Sequence, residues 1–464
     1  MLRWPGPPQH DTVWLLFLLC FLCPLCFLYL LYILYFVLLC ASMPFTPRTM
    51  DFSLTDDQRL IRDTVRQFME AEVRPVIRQY DREETFPEGE LRRLGELGCC
   101  GMLVPEEWGG AGVDTISYVV MLEEVARVDA ASAVALSVTN SVVGVPLFEH
   151  GTEAQKKKYL PRLSRGEILG AFCLTEPQAG SDSAAIQTRA TRHGDVYRLN
   201  GTKSWVTNGG VSGLYLVFAK TDLAAGARGV TAFLVEPTFP GFRVSRYEDK
   251  MGLRTSRSAE IVFTDCEVPE QHRLGEEGQG LKIALEALDG GRVGIAAQAV
   301  GIAQGAFEEA VRYAKQRRAF GKTIGEFQAI QWMLADMQTE IEAARGLAYY
   351  AAWLRDQGAA RLGPYASRAK LYASEMVNRV VYKAVQIHGS VGYSRETNVE
   401  RMYRDARVLS IYEGTSEIQR MIIARDLLAA AGAVREIPSP EPATKAFEPS
   451  AGSGQASAPA KGVR

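Results

Sequence analysis

The chain has 464 residues, a formal net charge of −2 at pH 7 and 23% charged residues. This near-neutral balance excludes the clustered lysines and arginines that a nucleic-acid-binding protein needs. The part of mixed composition, about 390 residues, is too long for one small core and predicts two or three packed domains.

The N-terminal leader, residues 1–49, is apolar, and its segment 13–41 carries no charged residue. That segment is long enough to cross a bilayer as a helix. Three interpretations stay open: a membrane anchor kinked at Pro24, a secretory signal with an unusually long apolar run, or an extension upstream of a start at Met43 or Met50. Membrane association is therefore expected only if the leader belongs to the mature protein.

Cysteine is unevenly distributed, because four of the eight lie in the leader. The others are Cys99, Cys100, Cys173 and Cys266, without the paired C-x-x-C or histidine partners of a zinc site. We therefore predict no metal, and scattered cysteines suit a reducing compartment.

The body of the chain predicts helices, then a β-domain, then longer helices. A Thr-x-x-Gln capping box at Thr55–Gln58 predicts the start of the first helix, and helical periodicity continues through 117–128 and 152–163. Asn200-Gly201 is typical of a hairpin turn between two strands. The predicted strands are 196–199, 203–207, 215–219, 230–235 and 261–263, and the predicted long helices are 281–315, 328–356, 365–388 and 415–431.

These patterns predict an α+β chain with the leader followed by four segments. Residues 50–168 are expected to form an N-terminal helical domain, and 169–278 a middle β-domain of barrel or sandwich type. Residues 279–432 are expected to form a C-terminal four-helix bundle. Residues 433–464, rich in Pro, Ala, Ser and Gly, are expected to be a disordered tail because they cannot bury enough apolar surface.

Motifs of several enzyme classes are missing from the sequence, including a strand-linked G-x-G-x-x-G, a Walker loop, G-x-S-x-G and H-E-x-x-H. The most informative segment is 412–417, Tyr-Glu-Gly-Thr-Ser-Glu, just before a helix. A helix N-terminus offers free N–H groups to a phosphate or a carbonyl oxygen. From the residues alone, Glu413 is either a functional carboxylate or, like Glu417, a cap of that helix.

Six motifs together resemble the acyl-CoA dehydrogenase family in order and spacing. They are Cys173–Asp182 (CLTEPQAGSD), Trp205–Thr207 (WVT), Leu288–Arg292 (LDGGR), Arg317–Lys322 (RRAFGK), Gln386–Gly389 (QIHG), and Tyr403–Arg407 (YRDAR) running into Ile411–Thr415 (IYEGT). The resemblance covers residues 52–428, and the chain is identified as a member most similar to short-chain, butyryl-type enzymes.

The resemblance implies an FAD-dependent oxidoreductase of fatty-acid β-oxidation, usually a homotetramer, that passes electrons from an acyl-CoA to electron-transfer flavoprotein. Glu413 would remove the α-proton while flavin N5 takes the β-hydride, and burial should raise the pKa of Glu413 toward the working pH. In isovaleryl-type and long-chain members the base instead precedes the motif arginine. Gly291 stands at that position here, so Glu413 is the candidate base.

The resemblance also assigns residues to the cofactor and the substrate. The isoalloxazine would be lined by Phe172, Cys173, Leu174, Thr175, Gly180, Ser181, Trp205, Val206 and Thr207. A neighbouring subunit would contribute Arg317, Phe320, Gln328, Gln386, Ile387, Gly389 and Ser390. The FAD diphosphate and adenosine would meet Thr415, Ser416 and Glu417, and the acyl-CoA would meet Ser181, Asp289, Arg292 and Gly414.

Two residues depart from the family pattern: Gln178 stands where many members have glycine, and Ser390 replaces the second glycine of a Gly-Gly pair. Both put the geometry of flavin loops in question. Other functions considered are an oxidase, which carries a longer C-terminal extension, a non-catalytic scaffold that retains the fold, and a membrane-attached dehydrogenase. The expected location is the bacterial cytoplasm or the mitochondrial matrix.

Overall fold

The computed structural model of the chain describes residues 53–359 and 361–429. The expectations for the leader and for the tail concern residues outside these ranges. The described α-helices are α1 Asp56–Phe68, α2 Ile77–Glu83, α3 Glu88–Glu96, α4 Thr115–Ala126, α5 Ala130–Ser137, α6 Val145–His150, α7 Glu153–Ser164, α8 Gly280–Gln316, α9 Gln328–Asp356, α10 Gly363–His388, α11 Asn398–Ala406 and α12 Ser416–Ala429.

The first helix begins where the capping box predicts. The hydroxyl of Thr55 accepts a hydrogen bond from the Gln58 backbone at 3.2 Å, and the Gln58 side chain accepts one from the Thr55 backbone at 3.0 Å. Val65 and Phe68 are buried on its inner face. A π-helical segment, Val138–Gly144, joins α5 to α6, and no periodicity argument had anticipated it.

Arg318–Ala319 and Lys322–Thr323 pair in a separate two-stranded antiparallel sheet. Eight further strands among the described residues form one mixed sheet. They are β1 Gly170–Cys173, β2 Arg189–His193, β3 Val196–Thr207, β4 Leu214–Lys220, β5 Val230–Val235, β6 Phe242–Tyr247, β7 Ser258–Pro269 and β8 Arg273–Leu274. Within the described residues the order is β6-β7-β3-β2-β4-β5-β8, with β1 parallel to β4. Side chains from six of these strands share a core of their own. The predicted α+β architecture with a middle β-domain is confirmed.

The predicted hairpin turn at Asn200-Gly201 is wrong. Both residues lie inside the 12-residue strand β3, at a shift in its pairing with β7. A Cβ on Gly201 would lie 2.4 Å from the Thr188 hydroxyl oxygen, so this glycine permits a close strand contact. The Asn200 side chain bonds Asp265 of β7 across the irregularity. A dipeptide typical of turns here marks a bulge.

The C-terminal helices form as the long apolar patterns predict. Helix α8 packs against α4, α9 and α10, and α12 packs against α10. Their bounds agree with the predicted ones within two residues. Alanines and glycines dominate the buried face of α8, so its neighbours approach the backbone closely.

Within the described part of the chain, the one helical stretch with the length and apolarity of a membrane span is Ala130–His150. Of its most apolar 18-residue window, 94% is buried inside the protein. Its composition is therefore accounted for by packing in the core.

Candidate active site

Glu413 lies in the turn that leads into α12, with a left-handed backbone (φ 54°) that non-glycine residues seldom adopt. Three hydrogen bonds hold this turn. The Gln419 side chain donates to the carbonyls of Glu413 and Gly414 at 3.2 and 2.9 Å, and the Lys370 ammonium donates to the Gly414 carbonyl at 2.7 Å. Side chains from α10 and α12 therefore fix the backbone of Glu413 and Gly414.

The Glu413 side chain is directed at α8. Its Oε2 atom is buried and has no hydrogen-bond partner among the described residues. A Cβ on Gly291 would lie 2.6 Å from that oxygen and 3.1 Å from Val142 Cγ1. The carboxylate thus rests in a space that exists because residue 291 has no side chain, and its free oxygen is suited to accept a proton.

The surroundings of Glu413 tune its acidity. Burial raises its pKa to about 7, although the Arg292 guanidinium and the Lys370 ammonium both favour the charged form. Burial also lowers the pKa of Lys370 to about 8, against the attraction of Glu413. Arg292 is paired with Asp289 one turn earlier on α8. A carboxyl group with a pKa near neutrality is what general-base catalysis requires.

Sequence reasoning missed the residues that hold this turn. Lys370 is fully buried. The sequence pattern that could have identified it is its position on the same helix face as the apolar Ala366 and Ala373. The hydroxyl of Tyr412 donates to the side chain of Gln298 on α8, a long-range contact that no local pattern could reveal.

A second group of predicted residues lies along one edge of the sheet. A bulge in β3 gives Trp205 a φ of 58° and turns its indole outward, 60% exposed. The Ser204 backbone donates to the Thr175 carbonyl at 2.9 Å, which places Thr175 beside the bulge. Within the described chain, the hydroxyls of Thr175 and Thr207 have no hydrogen-bond partner. A flat aromatic surface with two free hydroxyls suits a planar heterocycle that carries hydrogen-bonding atoms.

Strand alternation divides the remaining residues of this group. Cys173 and Val206 direct their side chains into the core of the sheet, whereas Phe172 and Leu174 face the helices. Only the backbones of Cys173 and Val206 are therefore available at the exposed edge. Gly180 and Ser181 are exposed in the loop that follows β1.

The two departures from the family pattern fit their backbones. Gln178 lacks a positive φ and donates to Glu176 Oε2 at 2.7 Å, so the turn does not need glycine. Ser390 lies in the 3-10 turn Gly389–Tyr393, where Gly389 has a positive φ (62°) and Ser390 does not. Neither position therefore needs the conformational freedom of glycine.

A third group lies far from Glu413. Arg317 follows the end of α8, about 39 Å along the helix axis from Gly291 at about 1.5 Å per residue. Tyr313 stacks on His388 at 4.4 Å between ring centroids, which joins this end of α8 to the end of α10. Ile387 is buried; the exposed residues here are Arg317, Phe320, Gln328, Gln386, Gly389 and Ser390. A single chain does not bring them to Glu413.

The start of α12 contains the last predicted residues. The Thr415 hydroxyl accepts a hydrogen bond from the Ile418 backbone at 3.3 Å, capping the helix. The Ser416 hydroxyl is buried, and among the described residues it has no partner. Backbone hydrogen bonding at the helix start lowers the pKa of Glu417, which is exposed.

Comparison with known proteins gives consistent matches along the chain. The family profiles for the N-terminal, middle and C-terminal domains of acyl-CoA dehydrogenase match residues 55–167, 171–266 and 278–428. The chain is similar to the short-chain-specific acyl-CoA dehydrogenase of Clostridium acetobutylicum, with 47% identity over 378 residues that cover 81% of this chain and 99% of the relative.

Solved structures similar to this chain agree with these family matches. The chain is similar to butyryl-CoA dehydrogenase from Megasphaera elsdenii, with 46% identity and a TM-score of 0.80 over 82% of this chain and 100% of that one. It is also similar to a chain solved under the description of the electron transferring flavoprotein of Acidaminococcus fermentans, with 46% identity and a TM-score of 0.81 over 82% and 100%.

Proposed function

The chain belongs to the acyl-CoA dehydrogenase family of FAD-dependent oxidoreductases, and from that membership we propose that it converts a short-chain acyl-CoA into the trans-2-enoyl-CoA. The observation that carries this proposal is the buried, unpartnered carboxylate oxygen of Glu413 in the space left by Gly291. The similarity to short-chain and butyryl-CoA dehydrogenases supports the chain length.

Glu413 removes the α-proton of the thioester. Its pKa of about 7, raised by burial, matches proton transfer at neutral pH. The Lys370 and Gln419 hydrogen bonds fix the backbone of the turn from which the Glu413 carboxylate extends. The Glu413 backbone N–H is the donor that the thioester carbonyl would use, because negative charge develops on that oxygen as the proton leaves.

The CoA portion is assigned to Ser181, Asp289, Arg292 and Gly414. Asp289 lines an open groove of about 380 Å³ beside the start of α8, and Arg228 and Lys282 line the same groove. Two cations at a groove that reaches the Asp289–Arg292 pair suit the phosphates of CoA. The two cations were not recognised in the sequence.

The residues at the sheet edge fit FAD. The outward indole of Trp205 and the free hydroxyls of Thr175 and Thr207 offer a stacking surface and hydrogen-bonding groups to an isoalloxazine. FAD supplies, when bound, the acceptor for the β-hydride at N5. Thr415, Ser416 and Glu417 would hold its diphosphate and adenosine at the start of α12. The buried, unpartnered Ser416 hydroxyl supports this assignment.

The residues distant from Glu413, all exposed except the buried Ile387, support a homo-oligomeric site. Arg317, Phe320, Gln328, Gln386, Ile387, Gly389 and Ser390 are assigned to the FAD of a neighbouring copy. We propose a homotetramer, with electron-transfer flavoprotein as the electron acceptor. The structural match to a chain described with an electron transferring flavoprotein supports that acceptor.

Anaerobic titration of the FAD-loaded protein tests the proposal. Addition of butyryl-CoA should bleach the flavin absorbance within seconds, and isovaleryl-CoA and octanoyl-CoA should bleach it more slowly. Reoxidation by purified electron-transfer flavoprotein should restore the absorbance. Flavin that stays oxidised with all three thioesters would contradict the proposed reaction and favour a scaffold role.

A further inference from the structure

One of the six motifs, Tyr403–Arg407, has no role in the site described above. Its Asp405 lies on α11, the helix that leads through a 3-10 turn to the Glu413 turn. Asp405 is 2% exposed, so its carboxylate needs partners inside the protein. Both oxygens have one: Oδ1 accepts from the Leu253 backbone at 2.6 Å, and Oδ2 accepts from the Arg401 guanidinium at 3.1 Å.

Leu253 lies in the β6–β7 loop, residues 248–257. Beside the bond to Asp405, the backbone of this loop contacts α11 at Gly252, where a Cβ would overlap the Arg404 carbonyl oxygen. Loop and helix therefore meet backbone to backbone at this point. Leu253 itself has a left-handed backbone (φ 48°), a conformation that the bond to Asp405 helps to hold.

The other end of the β6–β7 loop adjoins the sheet edge proposed to hold FAD. The Arg257 carbonyl accepts from the Asn208 backbone at 2.8 Å, and Ser258 pairs with Thr207 across β7 and β3. These contacts directly follow the bulge that turns Trp205 outward. A displacement of the loop at α11 would therefore be passed to the strand that carries Trp205 and Thr207.

Arg401 joins the same cluster to the N-terminal helical domain. It donates to the Val128 carbonyl at 2.7 Å and lies 3.9 Å from Asp129 Oδ1. Asp129 caps α5 by accepting from the Ser132 backbone at 3.0 Å. Asp129, Arg401 and Asp405 are all buried. Because a buried charge without its partner is costly, these groups hold α5, α11 and the β6–β7 loop in one arrangement.

We propose that Asp405 is a positioning residue that sets the distance between Glu413 and the sheet edge at Trp205, and so couples removal of the α-proton to transfer of the β-hydride. This rests on the proposed function, in which the Glu413 backbone holds the thioester carbonyl. Proton removal then depends only on the Glu413 turn, whereas hydride transfer also depends on where the sheet edge lies. A displacement of about 1 Å can cost about 100-fold in rate, and hydride transfer should bear that loss.

Two thioesters separate the two steps. Acetyl-CoA has α-hydrogens but no β-carbon, so deuterium uptake at its C2 in D2O reports proton removal alone. With butyryl-CoA the α-proton goes to Glu413, its electron pair forms the C2–C3 double bond, and the β-hydrogen leaves with its electron pair to FAD, whose absorbance falls. Mass spectrometry and stopped-flow absorbance would measure the two rates on the FAD-loaded protein.

Two variants displace the loop from opposite sides. Asp405→Asn directs an amide NH2 group at the Arg401 guanidinium. We expect flavin bleaching by butyryl-CoA to slow at least about tenfold, while exchange of acetyl-CoA stays within about threefold of the wild-type rate. Gly252→Ala should separate the rates in the same way, because its methyl group forces the loop from α11 while every buried charge keeps its partner. This variant gives a result even if Asp405→Asn fails to fold.

Glu123→Gln is the matched control. Glu123 is 7% exposed and accepts from Arg345 at 2.6 Å, which joins α4 to α9. Loss of this buried carboxylate should lower stability without separating the two rates. Amide hydrogen exchange gives a readout that does not depend on turnover. In the full-length protein, exchange at residues 250–257 should be at least about tenfold faster in Asp405→Asn and in Gly252→Ala than in the wild type, and unchanged in Glu123→Gln.

The outcomes distinguish this proposal from the proposed function. A folded loop variant that slows both rates equally, or neither, overturns the coupling role of Asp405, and so does unchanged amide exchange in the β6–β7 loop. A wild type that bleaches with butyryl-CoA but does not exchange acetyl-CoA also overturns it, because proton removal would then require more than the Glu413 turn. A wild type that bleaches with no acyl-CoA overturns the proposed function itself.

Discussion

The carboxylate of Glu413 occupies the place that a side chain at position 291 would fill, with Oε2 only 2.6 Å from the Cβ site of Gly291. The glycine is therefore a requirement of the base. It lies on a helix that also supplies Arg292, whose guanidinium counteracts the effect of burial on the pKa of Glu413. The helix thereby positions the carboxylate and tunes its acidity.

Gly291→Ala should displace the carboxylate. Its methyl group would contact Oε2 of Glu413 and Cγ1 of Val142, and a misplacement of about 1 Å can cost about 100-fold in rate. We expect kcat with butyryl-CoA to fall at least about tenfold while FAD stays bound. The matched control is Gly346→Ala on α9, where an added Cβ meets no atom within 4 Å. Equal kcat values for the two variants would refute the steric argument.

The pH profile follows from the raised pKa of Glu413. A base must be deprotonated to accept a proton, and burial raises this pKa to about 7. Turnover per unit substrate, kcat/KM, should therefore be constant above neutrality and fall about tenfold per pH unit below 7. Initial rates from pH 5 to 9 check this, and a flat profile down to pH 5 would exclude Glu413 as the titrating group.

Lys370→Met should shift that profile. The ammonium lowers the pKa of Glu413 and donates to the Gly414 carbonyl. Without it the pKa of Glu413 rises, so the loss of activity on acidification should begin at a higher pH than in the wild type. Lys383→Met on the same helix removes a lysine paired with Asp336 and should leave the profile in place. A shift of equal size in both variants would show a general effect of charge.

The buried ion pair Lys203–Glu176 supports the edge that carries Trp205. Lys203 Nζ lies 2.7 Å from Glu176 Oε1 and 3.0 Å from the Leu174 carbonyl, and both charged side chains are essentially unexposed. Lys203→Met would leave the Glu176 carboxylate unpaired, at a cost of about 3–5 kcal/mol in the free energy of unfolding.

A half-exposed pair provides the control for this prediction. Lys158 lies 2.7 Å from Glu236, and Lys158→Met should cost at most about 1 kcal/mol. Urea unfolding of both apo-variants measures the difference. If Lys203→Met is no less stable than Lys158→Met, the buried pair does not stabilise this edge.

The sequence predicted what local patterns encode. The capping box at Thr55 and the apolar stripes were sufficient to locate the first helix and the long C-terminal helices, because each pattern depends on residues within a few turns of one another. The hairpin turn predicted at Asn200-Gly201 was wrong because the backbone preference of this dipeptide suits a bulge as well as a turn. The outward indole of Trp205 follows from the second bulge in the same strand, which residue types alone do not locate.

The candidate site was predictable only as a set of motifs. Family resemblance pointed to Glu413 and the residues after it, but the contacts that make the carboxylate a base are long-range. Lys370 of α10 and Gln298 of α8 reach the turn through packing of long helices, and their short-range sequence surroundings are those of ordinary core positions. The backbone hydrogen bonds of the π-helical segment that carries Val142 span one residue more than those of an α-helix, a difference that apolar spacing cannot resolve.

Removal of the α-proton by Glu413 is the central claim, and deuterium exchange at C2 of butyryl-CoA tests it most directly. FAD-loaded wild type and Glu413→Gln would be incubated with butyryl-CoA in D2O under anaerobic conditions, and deuterium uptake followed by mass spectrometry. The account predicts that the glutamine variant keeps its flavin absorbance and binds butyryl-CoA, yet exchanges at least about 100-fold more slowly. Exchange within threefold of the wild-type rate would contradict the assignment of the base.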